Sequence, residues 1–379
     1  MTPQPPLNRK QHHHPLMTSR LSTNALLLIA ACMMPHTSQA QSGSDSKFHL
    51  DVAGIFGSQK MGIELSTPVT KDITVRAGAT FYKFSDDKKM SLPIQTGTYD
   101  PNLTAEENLM LSASRFNKVN DFITQFSSFD MNSHVKLKNK IKHDNFHLLV
   151  DITPFRNKHW YLTAGFYYGN SQVTEVLNQE ESMPTLMGMS IWNTIYQKVM
   201  AEQPIIDHKG INVYLPYDFE EAIRTEYGEM AMVAGTYKHD IVATEDILWE
   251  YSAYDPITGE TLHEEGDVRY HKGDIVHHQG DTYYLTPNDN NMFRQTQHVS
   301  KFKPYVGAGY RGRLTKDGRS MILVDMGVMY IGSNNIAFHD GMRLGKDVSS
   351  PLASDVKYGI YRNSHLHPSL SVRITYRLF

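Results

Sequence analysis

Six stretches of this chain alternate apolar and polar residues, and beyond the leader no apolar run reaches the roughly 20 residues that a membrane helix needs. Ile73, Val75, Ala77, Ala79 and Phe81 alternate with Thr74, Arg76, Gly78, Thr80 and Tyr82. Phe146, Leu148, Val150 and Ile152 alternate with His147, Leu149, Asp151 and Thr153. Trp160–Gly169, Tyr305–Arg311, Ile322–Tyr330 and Leu370–Leu378 repeat the pattern, and Phe48–Phe56 and Met61–Thr67 add two shorter strands. A period of two puts successive side chains on opposite faces of a strand. Without helical spans, a chain crosses lipid only as a closed barrel, because every backbone polar group must be satisfied internally. The resulting expectation is an all-β fold: an eight-stranded antiparallel transmembrane β-barrel with long, partly helical extracellular loops.

The connections support this by their parity. Thr67–Asp72, Pro154–His159 and Leu314–Ser320 are short, and the last carries the turn signal Lys316-Asp317-Gly318. Residues 85–145, 171–302 and 332–369 are long. Outside the tight first turn at Gly57-Ser58, short and long alternate, as in barrels with short periplasmic turns and longer outer loops. A soluble β-sandwich would space its turns more evenly.

Residues 1–40 read as a signal peptide. Arg9, Lys10 and Arg20 precede the apolar run Ala25–Ala31, no acidic residue is present, and Ser38-Gln39-Ala40 offers small residues for cleavage. Residues 41–379 are then the barrel chain, with 178–298 as a large extracellular loop insertion. Ile29-Ala-Ala-Cys32 also fits lipidation at the only cysteine, which leaves open a Cys32-anchored periplasmic β-sandwich that binds a ligand. The chain has 37 Lys+Arg against 40 Asp+Glu, and three of those bases lie in the leader. That acidic balance argues against nucleic acid as a partner.

Gly62-Ile-Glu-Leu-Ser-Thr-Pro68, Ile73–Gly78, Pro154–Gly165 and Pro304–Tyr310 resemble small outer-membrane β-barrel proteins of Gram-negative bacteria. The resemblance covers the strands and implies a cell outer-membrane location, with lipid and the barrel insertion machinery as partners. It also implies Phe379 as the insertion signal, although Phe379 is out of phase with Tyr376 and Leu378. Gly78, Gly165, Gly307 and Gly309 are the glycines expected to shape the barrel wall.

The alternation turns Asp51, Glu64, Arg76, His147, Asp151, Arg311, Asp325, Arg373 and Arg377 inward. An eight-stranded lumen is filled by its own side chains, so paired charges are expected there, not a pore. In the loops, Thr104-Ala-Glu-Glu107 is a capping box opening a helix through Ile123, Ser182–Ala201 reads as a Met-rich helix, and Asp218-Phe-Glu-Glu221 as the start of another. Gly-Asp pairs at 266, 273 and 280 predict a small β-meander. Tyr270, Val276 and Tyr283 in that repeat resemble the core of chitin-binding-type carbohydrate modules and are the candidate ligand residues. His263, His271, His277 and His278 fit none of the usual zinc spacings, so no metal or cofactor is expected. No nucleophile elbow, P-loop, dinucleotide or zincin motif occurs. The expected function is non-enzymatic: outer loops forming a cap that contacts a surface glycan or an envelope protein. The alternative is a barrel-based surface protease or lipid acyltransferase.

Overall fold

The computed structural model describes residues 49–58, 60–97, 100, 102–127, 129–249, 252–254, 261–355 and 365–378. The leader with Cys32, and Phe379, lie outside the described residues. The alternating segments form β1 (Asp51–Gly57), β2 (Lys60–Pro68), β3 (Ile73–Thr96), β4 (His134–Ile152), β5 (Trp160–Gly169), β6 (Phe302–Arg313), β7 (Ser320–Tyr330) and β8 (Leu366–Arg377). Each pairs antiparallel with its neighbours in that order. The ring closes where β1 meets β8, from Asp51 opposite Arg377 to Gly57 opposite Ser371. A sandwich would leave strand edges; here every barrel strand has two partners, so there is none. Following register partners once around from Val52 returns to β1 about ten residues off, the stagger that a closed, tilted barrel requires.

Two strands run much further than their sequence signals suggest. β3 and β4 stay paired from Ile73 opposite Ile152 up to Pro93 opposite His134, through one bulge between Asp86 and Met90. The connection between them therefore shrinks from 85–145 to 97–133. The cause is visible in β4, where Val135, Leu137 and Ile141 are buried on one face. The other face carries Phe146, Leu148, Val150 and Ile152 in its lower half and Lys136, Lys138, Lys140 and Lys142 above them. A single strand thus changes from an apolar to a lysine-bearing outer face along its length.

The three long connections do not form separate loops. They fold with the upper halves of β3 and β4 into one cap with its own core, containing Leu92, Leu137, Val176, Trp192, Met232, Phe293 and Phe338. Its sheet grows sideways from the barrel strands. Met230–Tyr237 adds to β3, while Gln172–Asn178, Arg294–His298 and Asn335–Phe338 add in turn to β4. The cap is accordingly wider than the 178–298 insertion expected from sequence, because residues before 178 and after 298 supply part of the same core.

Three helices cover that sheet: α1 (Ala105–Ser127), α2 (Met183–Met200) and α3 (Tyr217–Thr225). The Thr104 backbone N–H donates to Glu107 Oε2 at 2.8 Å, and the Glu107 N–H to Thr104 Oγ1 at 3.3 Å, a reciprocal capping box. Ser182 begins α2 differently, since its hydroxyl accepts from the Lys136 N–H of β4 at 2.8 Å. α3 starts one residue before Asp218, at Tyr217. Phe122 of α1 stacks on Phe219 of α3 and meets Trp192 of α2 edge-on. Asn193 of α2 fixes the strand beneath, because its side-chain amide both donates to and accepts from the Met230 backbone, at 2.9 and 2.8 Å.

Outside the barrel, Ile63, Leu65, Leu148, Leu162, Val306, Met326, Leu370 and Ile374 are exposed large apolar side chains. Aromatic side chains flank them. Trp160, Tyr310 and Tyr376 stand toward the short-turn end, and Phe56, Phe81, Tyr168, Phe302 and Tyr330 toward the cap. The barrel therefore carries a continuous apolar belt edged by two aromatic rows.

Candidate functional site

The lumen brings together inward residues from six strands, and Arg373 of β8 is their hub. Its Nη1 donates to Glu64 Oε1 at 2.6 Å, its Nε to Asp325 Oδ2 at 2.7 Å, and its Nη2 to the Tyr161 hydroxyl at 2.9 Å. Arg76 Nη2 lies 2.9 Å from Asp151 Oδ1 and Arg76 Nη1 lies 3.5 Å from Glu64 Oε2. Tyr161 donates to Asp325 at 2.8 Å and Thr163 to Asp151 at 2.7 Å, while His147 Nε2 sits 2.9 Å from Glu64 Oε2. Each carboxylate meets a guanidinium, which offsets the desolvation that isolated buried charges would suffer. The cavity among Glu64, Arg76, Tyr167, Tyr305, Asp325 and Arg373 measures about 10 Å³, room for about one water.

Small residues make space for this network. A Cβ on Gly309 would stand 2.2 Å from Tyr161 Cζ, and one on Gly327 would stand 2.4 Å from the Tyr305 hydroxyl. The rings fill volume that side chains at those positions would otherwise take. Glu64, Arg76, Asp151, Asp325 and Arg373 thus lie in one cluster, whereas Asp51 sits at the short-turn opening beside His49 and Arg377. Arg311 donates to Thr153 at 2.8 Å and covers the Tyr161 ring. Tyr161 and Thr163 are missing from the sequence-derived set because they carry no formal charge. The alternation along β5 nonetheless places both on the inward face.

The Gly-Asp repeat has a different form from the meander expected. Val268–Tyr270, Ile275–His277 and Thr282–Leu285 do not pair with one another; they lie end to end along one arm of a ribbon. They pair with Ile247–Leu248, Ile241–Val242 and Met230–Tyr237 on the other arm. The turns advance the chain without reversing it. Asp267, Asp274 and Asp281 each accept, on Oδ2, the backbone N–H three residues earlier, at 2.8, 2.8 and 2.9 Å. Gly266, Gly273 and Gly280 have φ of +92°, +97° and +93°, and a Cβ there would touch nothing within 4 Å. Glycine is needed at these turns for its left-handed backbone, not for space.

Rings stack along the ribbon. His263 lies on Trp249 with centroids 3.7 Å apart, Arg269 sits 4.3 Å from the same ring, and His277 lies on Tyr237 at 4.4 Å. Trp249 is therefore held between two of the chain's own side chains. Of the candidate ligand residues, Tyr270 and Val276 are half-buried on the ribbon. Tyr283 is 1% exposed, packs in the cap core and donates to Asp340 Oδ2 at 2.7 Å. His271 and His278 stand near Asp246 and Asp240. Among the described residues, no three His, Cys, Asp or Glu side chains are arranged to hold a metal ion.

The ribbon is expected to loosen in mild acid. Burial lowers the His277 pKa below its ordinary 6.5, Asp281 opposes this, and Arg269 and His278 add to it. Above that ordinary value the ring is neutral whether the ribbon is closed or open. As pH falls through it, the open form takes a proton that the closed form resists, so ribbon stability declines. Amide exchange across 240–249 and 261–285, corrected for the intrinsic rate at each pH, should accelerate between pH 7.5 and roughly pH 5.5. In His277→Phe that acceleration should shrink, and an unchanged profile would assign the acid response elsewhere.

No protein-family model matches the sequence. No curated protein matches it either. Among solved structures, CarO of Acinetobacter baumannii is similar at a TM-score of 0.32 and 9% identity, covering 86% of this chain and 97% of that one. A major outer membrane protein of Thermus thermophilus is similar at a TM-score of 0.25 and 9% identity, covering 88% of this chain and all of that one.

Proposed function

We propose that the chain is an outer-membrane β-barrel without catalytic activity, whose cap contacts a surface glycan or an envelope protein. The observation that carries this reading is the contrast between the two halves. The lumen is filled by paired charges, while the three long connections build a cored domain above it. A sealed barrel of this size transports little, so the surface available for recognition lies in the cap. The uncovered apolar belt supports the membrane location, since an exposed apolar band of this extent would drive a water-soluble chain to associate. Its aromatic edges suit the two membrane–water interfaces. Outer-membrane lipid and the barrel insertion machinery are then partners.

Two measurements test the reading. Boiled and unboiled full chain should migrate differently on a denaturing gel, and an unshifted band would remove the barrel. A trimmed chain, with short turns in place of 84–141, 171–300 and 332–364, should still shift but lose binding to arrayed envelope polysaccharides and envelope proteins. Equal binding by both chains would remove the cap as the working surface. Turnover of an envelope lipid or a peptide library by the full chain would remove the non-enzymatic reading.

A further inference from the structure

The upper lumen, between the paired-charge cluster and the cap, contains a buried cation with no counter-ion among the described residues. Lys303 of β6 points inward and is 2% exposed. Its ammonium donates to Asn145 Oδ1 at 2.9 Å and to the Asn170 carbonyl at 3.3 Å, both neutral oxygens. Among the described residues, no carboxylate comes within ion-pair distance of it. An ammonium has three donors, and a buried charge left unpaired is strongly disfavoured.

Two further groups at this level lack a hydrogen-bond partner among the described residues. Thr80 stands directly across from Asn145 in the β3–β4 register, and His143 lies two residues from Asn145 on the same face of β4. Thr80 is 2% exposed and His143 is 7% exposed, and neither Thr80 Oγ1 nor His143 Nε2 has a hydrogen-bond partner. Below them, Glu64, Asp151 and Asp325 are already engaged by Arg76 and Arg373.

We propose that this level is an anion site and that chloride, held by Lys303 with Thr80 and His143, supplies the missing charge. A monatomic anion suits the donor set, because it accepts from an ammonium, a hydroxyl and an imidazole N–H without a preferred direction. It requires no room for further oxygens, as a phosphate would. The site lies above the paired-charge cluster and leaves the sealing of the lumen unchanged.

Chloride-35 NMR on the full chain folded in detergent tests this. The wild type should broaden the chloride line in proportion to protein concentration, and bromide should reverse the broadening. Lys303→Met should lose at least tenfold of the excess width, with its folding checked by the heat-dependent gel shift. Thr80→Val, which retains the ammonium, should weaken binding several-fold. Broadening no greater than that of detergent alone, or equal broadening in wild type and Lys303→Met, would overturn the proposal. If Lys303→Met does not fold, Thr80→Val decides the matter, and wild-type broadening in that variant overturns it.

Discussion

Arg373→Ala should destabilise the barrel by about 3–5 kcal/mol, the largest effect expected of a single lumen substitution. The guanidinium reaches Glu64, Asp325 and Tyr161 at once, and its side chain is 2% exposed. Its removal leaves two carboxylates in a lumen without water enough to solvate them. Arg76 cannot replace it, since its closest contact is already Asp151 at 2.9 Å. Urea unfolding in detergent, followed by the gel shift of the folded barrel, measures the loss. Glu64→Gln combined with Arg373→Met should recover part of it, because one of the two carboxylates left without the guanidinium is then neutral. A loss below about 1 kcal/mol for Arg373→Ala would mean that the cluster breaks even and that backbone closure alone holds the barrel.

That lumen was legible in the sequence because a period of two is enough to read it. Once Ile73, Val75 and Phe81 are assigned outward, Arg76 must face inward, and the same parity turns Glu64, Asp151, Asp325 and Arg373 toward it. The upper reach of β3 and β4 was not legible for an opposite reason. Asp86-Asp87-Lys88-Lys89 reads as a solvated charge run, and it coincides with the bulge that displaces the register. In β4 the lysines at 136, 138, 140 and 142 hide the buried partner row of Val135, Leu137 and Ile141, although the alternation itself is unbroken. The ribbon is hidden in the sequence because its two arms repeat differently. Tyr237, Ala243 and Trp249 are six apart, while the Gly-Asp turns to which they hydrogen-bond are seven apart. A repeat on one arm was visible, and the partner arm carried no matching signal. Lys303 is inconspicuous for a simpler reason, since it lies just before Tyr305–Arg311, the part of β6 that alternates clearly in sequence.

Trp192→Ala in α2 should destabilise the cap by about 3–5 kcal/mol, the usual range for emptying a buried aromatic site. Trp192 is fully buried, meets Phe122 and Tyr227 edge-on, and donates its indole N–H to the Gly228 carbonyl at 2.9 Å. Truncation therefore leaves both a cavity and a carbonyl without its donor. Limited proteolysis should cut within α1, α2 and 201–229 far faster than in the wild type, while the gel shift of the barrel persists. The separation follows from where the stabilising contacts lie. The Arg373 cluster is made entirely by side chains of the barrel wall, and Trp192 touches none of them. The opposite result would be equally informative. β3 and β4 run unbroken from the lumen into the cap core, so a cap that transmits its loss to the barrel would do so through those two strands, and the barrel shift would then fall in step with the proteolytic protection.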